Sequence, residues 1–180
     1  MSTVLERPAL PHALVADLRT DHAGETGAVY IYRGVLAVSR DPALRHFARR
    51  HLATEQHHLD VVEAWLPPAQ RSRLLPLWRI SGWLTGALPA LFGTRAVYAT
   101  IAAVETFVDG HYQEQIDRLT GNANWAVLRA ELEVCRQDEV HHRDEAAAAH
   151  GGDAPGPWLR AWCAMVGQGS AAAVSVCRHV

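Results

Sequence analysis

Apolar residues recur every three or four positions along four stretches of this chain, the period of a helix with one buried face. About residues 12–39 the stripe is Leu14, Leu18, Ala28, Tyr32 and Val35, with Glu25 in register among them. About 42–66 it is Leu44, Ala48, His51, Val62 and Trp65, with Glu55 and His58 in register. Asp41-Pro42 supplies an N-cap and a first-turn proline to that helix, and Pro67-Pro68 ends it. About 94–119, Tyr98, Ile101, Val108, Tyr112 and Leu119 accompany Glu105, and Thr120-Gly121-Asn122 closes the element. About 124–150, Leu128, Leu132, Cys135, Ala146 and Ala149 accompany Glu139 and His142, before a stop at Gly151-Gly152.

Two further segments have a different texture. Residues 74–92, LLPLWRISGWLTGALPALF, are rich in Leu, Trp and Gly, carry charge only at Arg79 and are broken by Pro76 and Pro89. The run is too short and interrupted to span a bilayer; it reads either as a helix packed in the core or as a segment in a membrane interface. Gly82 and Gly86 are spaced to let two helices approach closely. The Ala-rich apolar stretch about 157–178 reads as a last helix, packed on the bundle or on lipid. The expected architecture is therefore all-α: one domain over residues 1–180, a four-helix bundle with an added apolar segment and a C-terminal helix.

The ionisable residues inside the stripes form a repeated pattern. Glu55 and His58, like Glu139 and His142, are three residues apart on one helical face. Each pair follows a Glu on the preceding bundle helix, Glu25 thirty residues before Glu55 and Glu105 thirty-four before Glu139. Ten Glu and eleven His in 180 residues yield roughly 0.6 Glu-x-x-His pairs by chance, so the weight rests on the upstream Glu and the shared register. This is the cage of a di-iron carboxylate bundle. Four carboxylates turned inward need positive charge, and two metal ions supply it. Ligands rich in carboxylate, poor in imidazole and free of thiolate suit iron or manganese, and iron if oxygen chemistry is involved.

Composition narrows the classes. A net charge of −2 and a pI near 6.6 give no basic footprint for nucleic acid. Cys135, Cys163 and Cys177 form no C-x-x-C pair and read as packed thiols in a reducing compartment. The N-terminal MSTVLERPALPHALV lacks both a signal-peptide core and a transit pattern, so a cytoplasmic, bacterial setting is expected. His57 and His141 point about 100° away from the adjacent ligands, as surface or outer groups. His46, His150 and His179 read as solvated and His51 as a hydrogen-bonded core residue. Asp21 and Asp109, each one turn from a ligand Glu, read either as surface acids or as groups orienting a ligand imidazole.

The stretches DHAGETGAVYIYRG (Asp21–Gly34), EQHH (Glu55–His58), AVETFVDGHYQEQI (Ala103–Ile116) and DEVHHRD (Asp138–Asp144) resemble the demethoxyubiquinone hydroxylases, ferritin-like di-iron monooxygenases of ubiquinone biosynthesis. The AGE-x-GA and HY-x-x-QI elements are more specific than the ligand pattern, and TFVDG between Glu105 and His111 departs from the family's usual text. The resemblance implies two iron ions held by Glu25, Glu55, His58, Glu105, Glu139 and His142, with His111 and Tyr112 linked to electron or proton delivery. It implies a polyprenyl quinol and O2 as substrates, ring hydroxylation with water as the other product, and peripheral association with the cytoplasmic side of the cell membrane. A homo-oligomer, or association with other ubiquinone-biosynthesis proteins, is also within its scope. The competing readings are a tRNA hydroxylase, which calls for a basic face; iron storage or peroxide scavenging, which calls for a cage or a cysteine site; and a metal-free bundle.

Overall fold

The computed structural model describes residues 9–151 and 154–180. Residues 1–8 of the N-terminal stretch read for leader features, and Gly152 of the proposed stop, therefore lie outside the described residues. Six helices carry the chain: α1 His12–Val38, α2 Pro42–Trp65, α3 Leu75–Ala90, α4 Thr94–Leu119, α5 Ala126–His150 and α6 Pro157–Cys177. No strand occurs among the described residues. The fold is a ferritin-like helical bundle of α1, α2, α4 and α5, with α3 and α6 packed outside on α1 and α4. The helix ends follow local chemistry: Asp41 Oδ1 accepts from the Leu44 amide at 2.8 Å ahead of Pro42. Gly151 ends α5 at φ +87°, a conformation that L side chains rarely adopt.

The apolar stripes meet as two plugs, one toward each end of the bundle. One gathers Leu18, Val62, Trp65, Tyr112, Leu128 and Leu132. The other gathers Tyr32, Val35, Leu44, Phe47, Ile101 and Ala146. The Glu and His positions fall midway along the helices between these clusters, so their burial follows from the same register that builds the plugs. Every residue expected on the α2 stripe is buried. On α4 and α5 two differ: Val108 is only partly buried, and Ala149 is exposed in the last turn of α5, where its neighbour His150 takes the inward position. His150 corrects the solvated reading, since it is buried with Nδ1 3.1 Å from the Gly151 carbonyl oxygen. His46, His57, His141 and His179 are exposed as expected.

Residues 74–92 resolve into a helix with two faces. On the inner face Gly82 lies against the backbone of Gly27 and Gly86 against that of Ile31, while Gly34 of α1 lies against Trp83 and Ala87. The helices touch backbone to backbone, which a Cβ at any of these positions would prevent. On the outer face Leu77, Ile80, Leu84 and Leu88 are exposed. No helix among the described residues is long and apolar enough to cross a membrane.

Gly86→Ala is expected to destabilise the protein by about 1–3 kcal/mol because the new methyl meets backbone, a fall in melting temperature of roughly 2–12 °C for a chain of this size. Gly110→Ala lies mid-helix and its added methyl meets open space, so it should be neutral or raise Tm. Equal melting temperatures for the two variants would show that the α1–α3 contact is not tight.

Candidate metal centre

Each bundle helix delivers its ionisable residues to one point. Glu25 comes from α1, Glu55 and His58 from α2, Glu105 from α4, and Glu139 and His142 from α5. All six are at most 3% exposed. The structure brings together every residue of the expected ligand set, in two overlapping groups: Glu25, Glu55, His58 and Glu139, and Glu55, Glu105, Glu139 and His142, with ligand atoms in each group within 4.8 Å of one another. Glu55 and Glu139 belong to both. Both imidazoles present Nδ1 to the centre: His58 Nδ1 is 2.9 Å from Glu139 Oε1 and 3.7 Å from Glu25 and Glu55, and His142 Nδ1 is 3.0 Å from Glu55 Oε1.

The donor set fits a pair of cations better than it satisfies itself. Glu25 Oε2, both Glu55 oxygens, Glu139 Oε2 and His142 Nδ1 are buried without a hydrogen-bond partner. Such atoms are costly in a protein interior unless something positive binds them. Protonation responds to the same pressure. Burial, then the charges of Glu139 and Glu55, raise Glu105 well above the ordinary carboxylate range. Burial opposes the charged form of His58, but the hydrogen bond to Glu139 and the carboxylates of Glu25 and Glu55 close by outweigh it and raise the pKa strongly. His142 is likewise opposed by burial and raised by Glu139 and Glu55, to about 9.

A surrounding layer of hydrogen bonds aims the ligands. Tyr112 donates to Glu25 and Tyr32 donates to Glu105 Oε1 at 3.2 Å. Asp138 Oδ2 lies 3.1 Å from His58 Nε2, the partner that leaves Nδ1 free to face the centre. Asp138 is thus the imidazole-orienting acid that sequence reasoning missed; it is next to a ligand in sequence, but its reach to α2 is a tertiary contact. The two acids considered for that task serve elsewhere. Asp109 accepts from Arg136 and Arg143, both at 2.8 Å, and Asp21 pairs with His111 at 3.1 Å and accepts from Gln115. His51 is a core histidine as expected, 3.0 Å from Glu145 Oε2, its ring edge-on to His142 at 4.0 Å; burial, with His142 beside it, holds it down to about 3.

A cavity of about 380 Å³ adjoins the centre. Glu25, Glu55, Glu105 and Glu139 line it on the bundle side, and Trp78 of α3 with Met165 and Val174 of α6 line it on the outer side. His111 and Tyr112 both line this cavity. His111 Nε2 also meets Thr20 Oγ1 at 3.0 Å. Burial works against its charged form, but Asp21 outweighs burial and Asp17 and Glu114 add to it, so the ring titrates above the ordinary histidine range. The three cysteines are free; Cys135 and Cys177 are buried and Cys163 is partly buried.

The family pattern described as ubiquinone biosynthesis protein COQ7 matches residues 12–177. The chain is 40% identical over 141 residues to a 3-demethoxyubiquinol 3-hydroxylase of Rhodospirillum rubrum, covering 77% of this chain and 66% of that protein. It is 29% identical over 177 residues to the mitochondrial NADPH-dependent 3-demethoxyubiquinone 3-hydroxylase of Caenorhabditis elegans, covering 96% of this chain and 93% of that protein. It is 34% identical to the mitochondrial 5-demethoxyubiquinone hydroxylase of Saccharomyces cerevisiae, covering 72% of this chain and 63% of that one. The chain thus spans about two thirds of the length of several curated relatives.

With no metal bound, His58, His142 and Glu105 hold protons in the folded state that the unfolded chain releases at lower pH. The contribution of the two imidazoles is complete below about pH 6.5 and is lost as pH rises, for His142 through about 9. Glu105 changes stability in the same sense. Metal-free protein should therefore melt at lower temperature at pH 9 than at pH 6. Added Mn(II) should raise Tm by an increment that grows with pH, because the ion displaces those protons. A metal-free Tm that is flat or rises over this range would contradict the buried-cage reading.

Proposed function

The chain belongs to the COQ7 family of ubiquinone-biosynthesis proteins, and on that premise we propose that it is an O2-dependent di-iron monooxygenase hydroxylating the ring of demethoxyubiquinol, a 3-demethoxyubiquinol 3-hydroxylase. The observation that carries the reading is the junction of two ligand sets sharing Glu55 and Glu139 with an apolar cavity that ends on α3 and α6. Iron storage needs no such cavity beside the metals. A tRNA hydroxylase is not supported by a chain of net charge −2 or by the family.

Glu25, Glu55, His58 and Glu139 would hold one iron, and Glu55, Glu105, Glu139 and His142 the other. The pair would supply activation of O2, one atom of which would enter the ring C–H bond and the other leave as water, with two electrons and two protons from an external donor. The protein's own residues prepare that step. Tyr112 and Tyr32 fix the outer carboxylates, Asp138 fixes the tautomer of His58, and the two apolar plugs keep solvent from the centre. His111, held by Asp21 and Thr20, keeps a proton at the cavity wall and with Tyr112 forms the route for proton or electron delivery.

The substrate's isoprenoid tail places it in a bilayer, so the enzyme has to meet the membrane. The cavity wall formed by α3 and α6 gives the tail an apolar path from lipid to the metals. We infer peripheral association with the cytoplasmic face of the cell membrane.

Glu139→Ala or His142→Ala is expected to abolish ring hydroxylation. Quinones extracted from a deletion strain carrying either variant should contain the demethoxy intermediate in place of ubiquinone. His111→Ala should lower kcat by about 10²–10⁴, the usual contribution of a proton-transfer group, with iron content unchanged. Normal ubiquinone in cells carrying Glu139→Ala would end the proposal.

A further inference from the structure

Helices α3 and α6 carry a charge pattern that the rest of the chain does not share. Residues 64–104 contain Arg71, Arg73, Arg79 and Arg95 and no acid, and residues 154–180 contain Arg160 and Arg178 and again no acid. Of 17 arginines and 19 acids in the whole chain, the other positions therefore hold eleven arginines and all nineteen acids. A slightly acidic protein has one pair of segments that is purely basic.

The same segments carry the exposed apolar surface. Of the thirteen large apolar side chains exposed among the described residues, eleven lie here, including Ile80, Leu91 and Phe92 from α3 and its C-terminal end, and Trp158 and Met165 from α6. The two helices run in opposite directions and approach at their ends: the Phe92 and Trp158 rings are 5.0 Å apart at one end, and Cys177 Sγ is 3.8 Å from Ser72 Oγ at the other. Arg71 and Arg178 are engaged with Glu63 and Asp17 of the bundle. Arg73, Arg79 and Arg160 are exposed. The Arg79 guanidinium lies over the Tyr30 ring of α1, 5.9 Å from its centroid.

We propose that this face docks on a bilayer rich in anionic phospholipid, with the apolar side chains of α3 and α6 at the acyl boundary and Arg73, Arg79 and Arg160 against headgroup phosphates. The proposal rests on the reading of a lipid-dissolved substrate and adds the chemistry of the surface that the enzyme selects. Charge decides the occupant. In a symmetric contact with a second copy this face would meet itself, arginine against arginine with no acid in either segment. A phosphate-bearing surface supplies both an apolar phase and the opposite charge.

The test is co-sedimentation of the iron-loaded full chain with vesicles of pure phosphatidylcholine and with vesicles containing phosphatidylglycerol. Binding to the anionic vesicles should exceed binding to the neutral ones at least about tenfold at low salt and should weaken steeply at about 0.5 M salt. Each exposed basic group contributes about fivefold near such a surface, so the triple variant Arg73→Gln, Arg79→Gln, Arg160→Gln should lose at least about tenfold of that binding. Its turnover of a demethoxyquinol with a truncated, water-soluble side chain should be unchanged. Equal binding to both vesicle types overturns the proposal, as does binding to neither or burial of the face in a homodimer. Loss of turnover by the unaltered chain with charge-dependent docking intact would instead count against the hydroxylase reading and leave the docking standing.

Discussion

Four carboxylates buried between two apolar plugs are the constraint to which the rest of this molecule answers. Glu55, Glu105, Glu139 and Glu25 sit at positions that the helical period would otherwise give to Leu or Val, and removing ionised carboxylates from water is among the costliest steps in folding. The protein meets that cost with two imidazoles, two tyrosine hydroxyls and an arrangement open to cations. The oxygens left without partners mark where hydrogen bonding stops and a cation could bind.

The same constraint shapes what surrounds the centre. Buried carboxylates attract water and protons, and the two apolar plugs close the centre from above and below and leave an opening sideways, between α1, α3, α4 and α6. Its outer wall is mostly apolar, and its polar groups gather at the four carboxylates and near Thr20, Asp21 and His111. The glycine contacts of α1 with α3 draw the outer helix close enough to form its wall. Packing that looks merely structural thus shapes the way into the carboxylate cluster.

Asp109 and Asp21 show how a plausible local reading fails. Both lie one turn from a ligand Glu, a spacing that suits an orienting acid. Yet the side chain of Asp109 finds two guanidinium groups on α5 and that of Asp21 finds His111 and Gln115 on α4. Asp138, which no spacing rule singled out, reaches across to α2 and takes that place for His58. Partner choice among these acids depends on which helix comes to lie opposite, and no periodicity within one helix encodes that.

Periodicity alone determined the four bundle helices and the inward register of Glu25, Glu55, His58, Glu105, Glu139 and His142, because a buried stripe repeats every 3.6 residues whatever it packs against. It also marked residues 74–92 as apolar and too short to span a bilayer. Only the tertiary structure decided that Glu55 and Glu139 belong to both ligand sets, that His150 is covered while Ala149 is not, and that α3 turns glycines inward and leucines outward. Those outcomes depend on distances between helices remote in sequence, and such distances arise only when the helices pack.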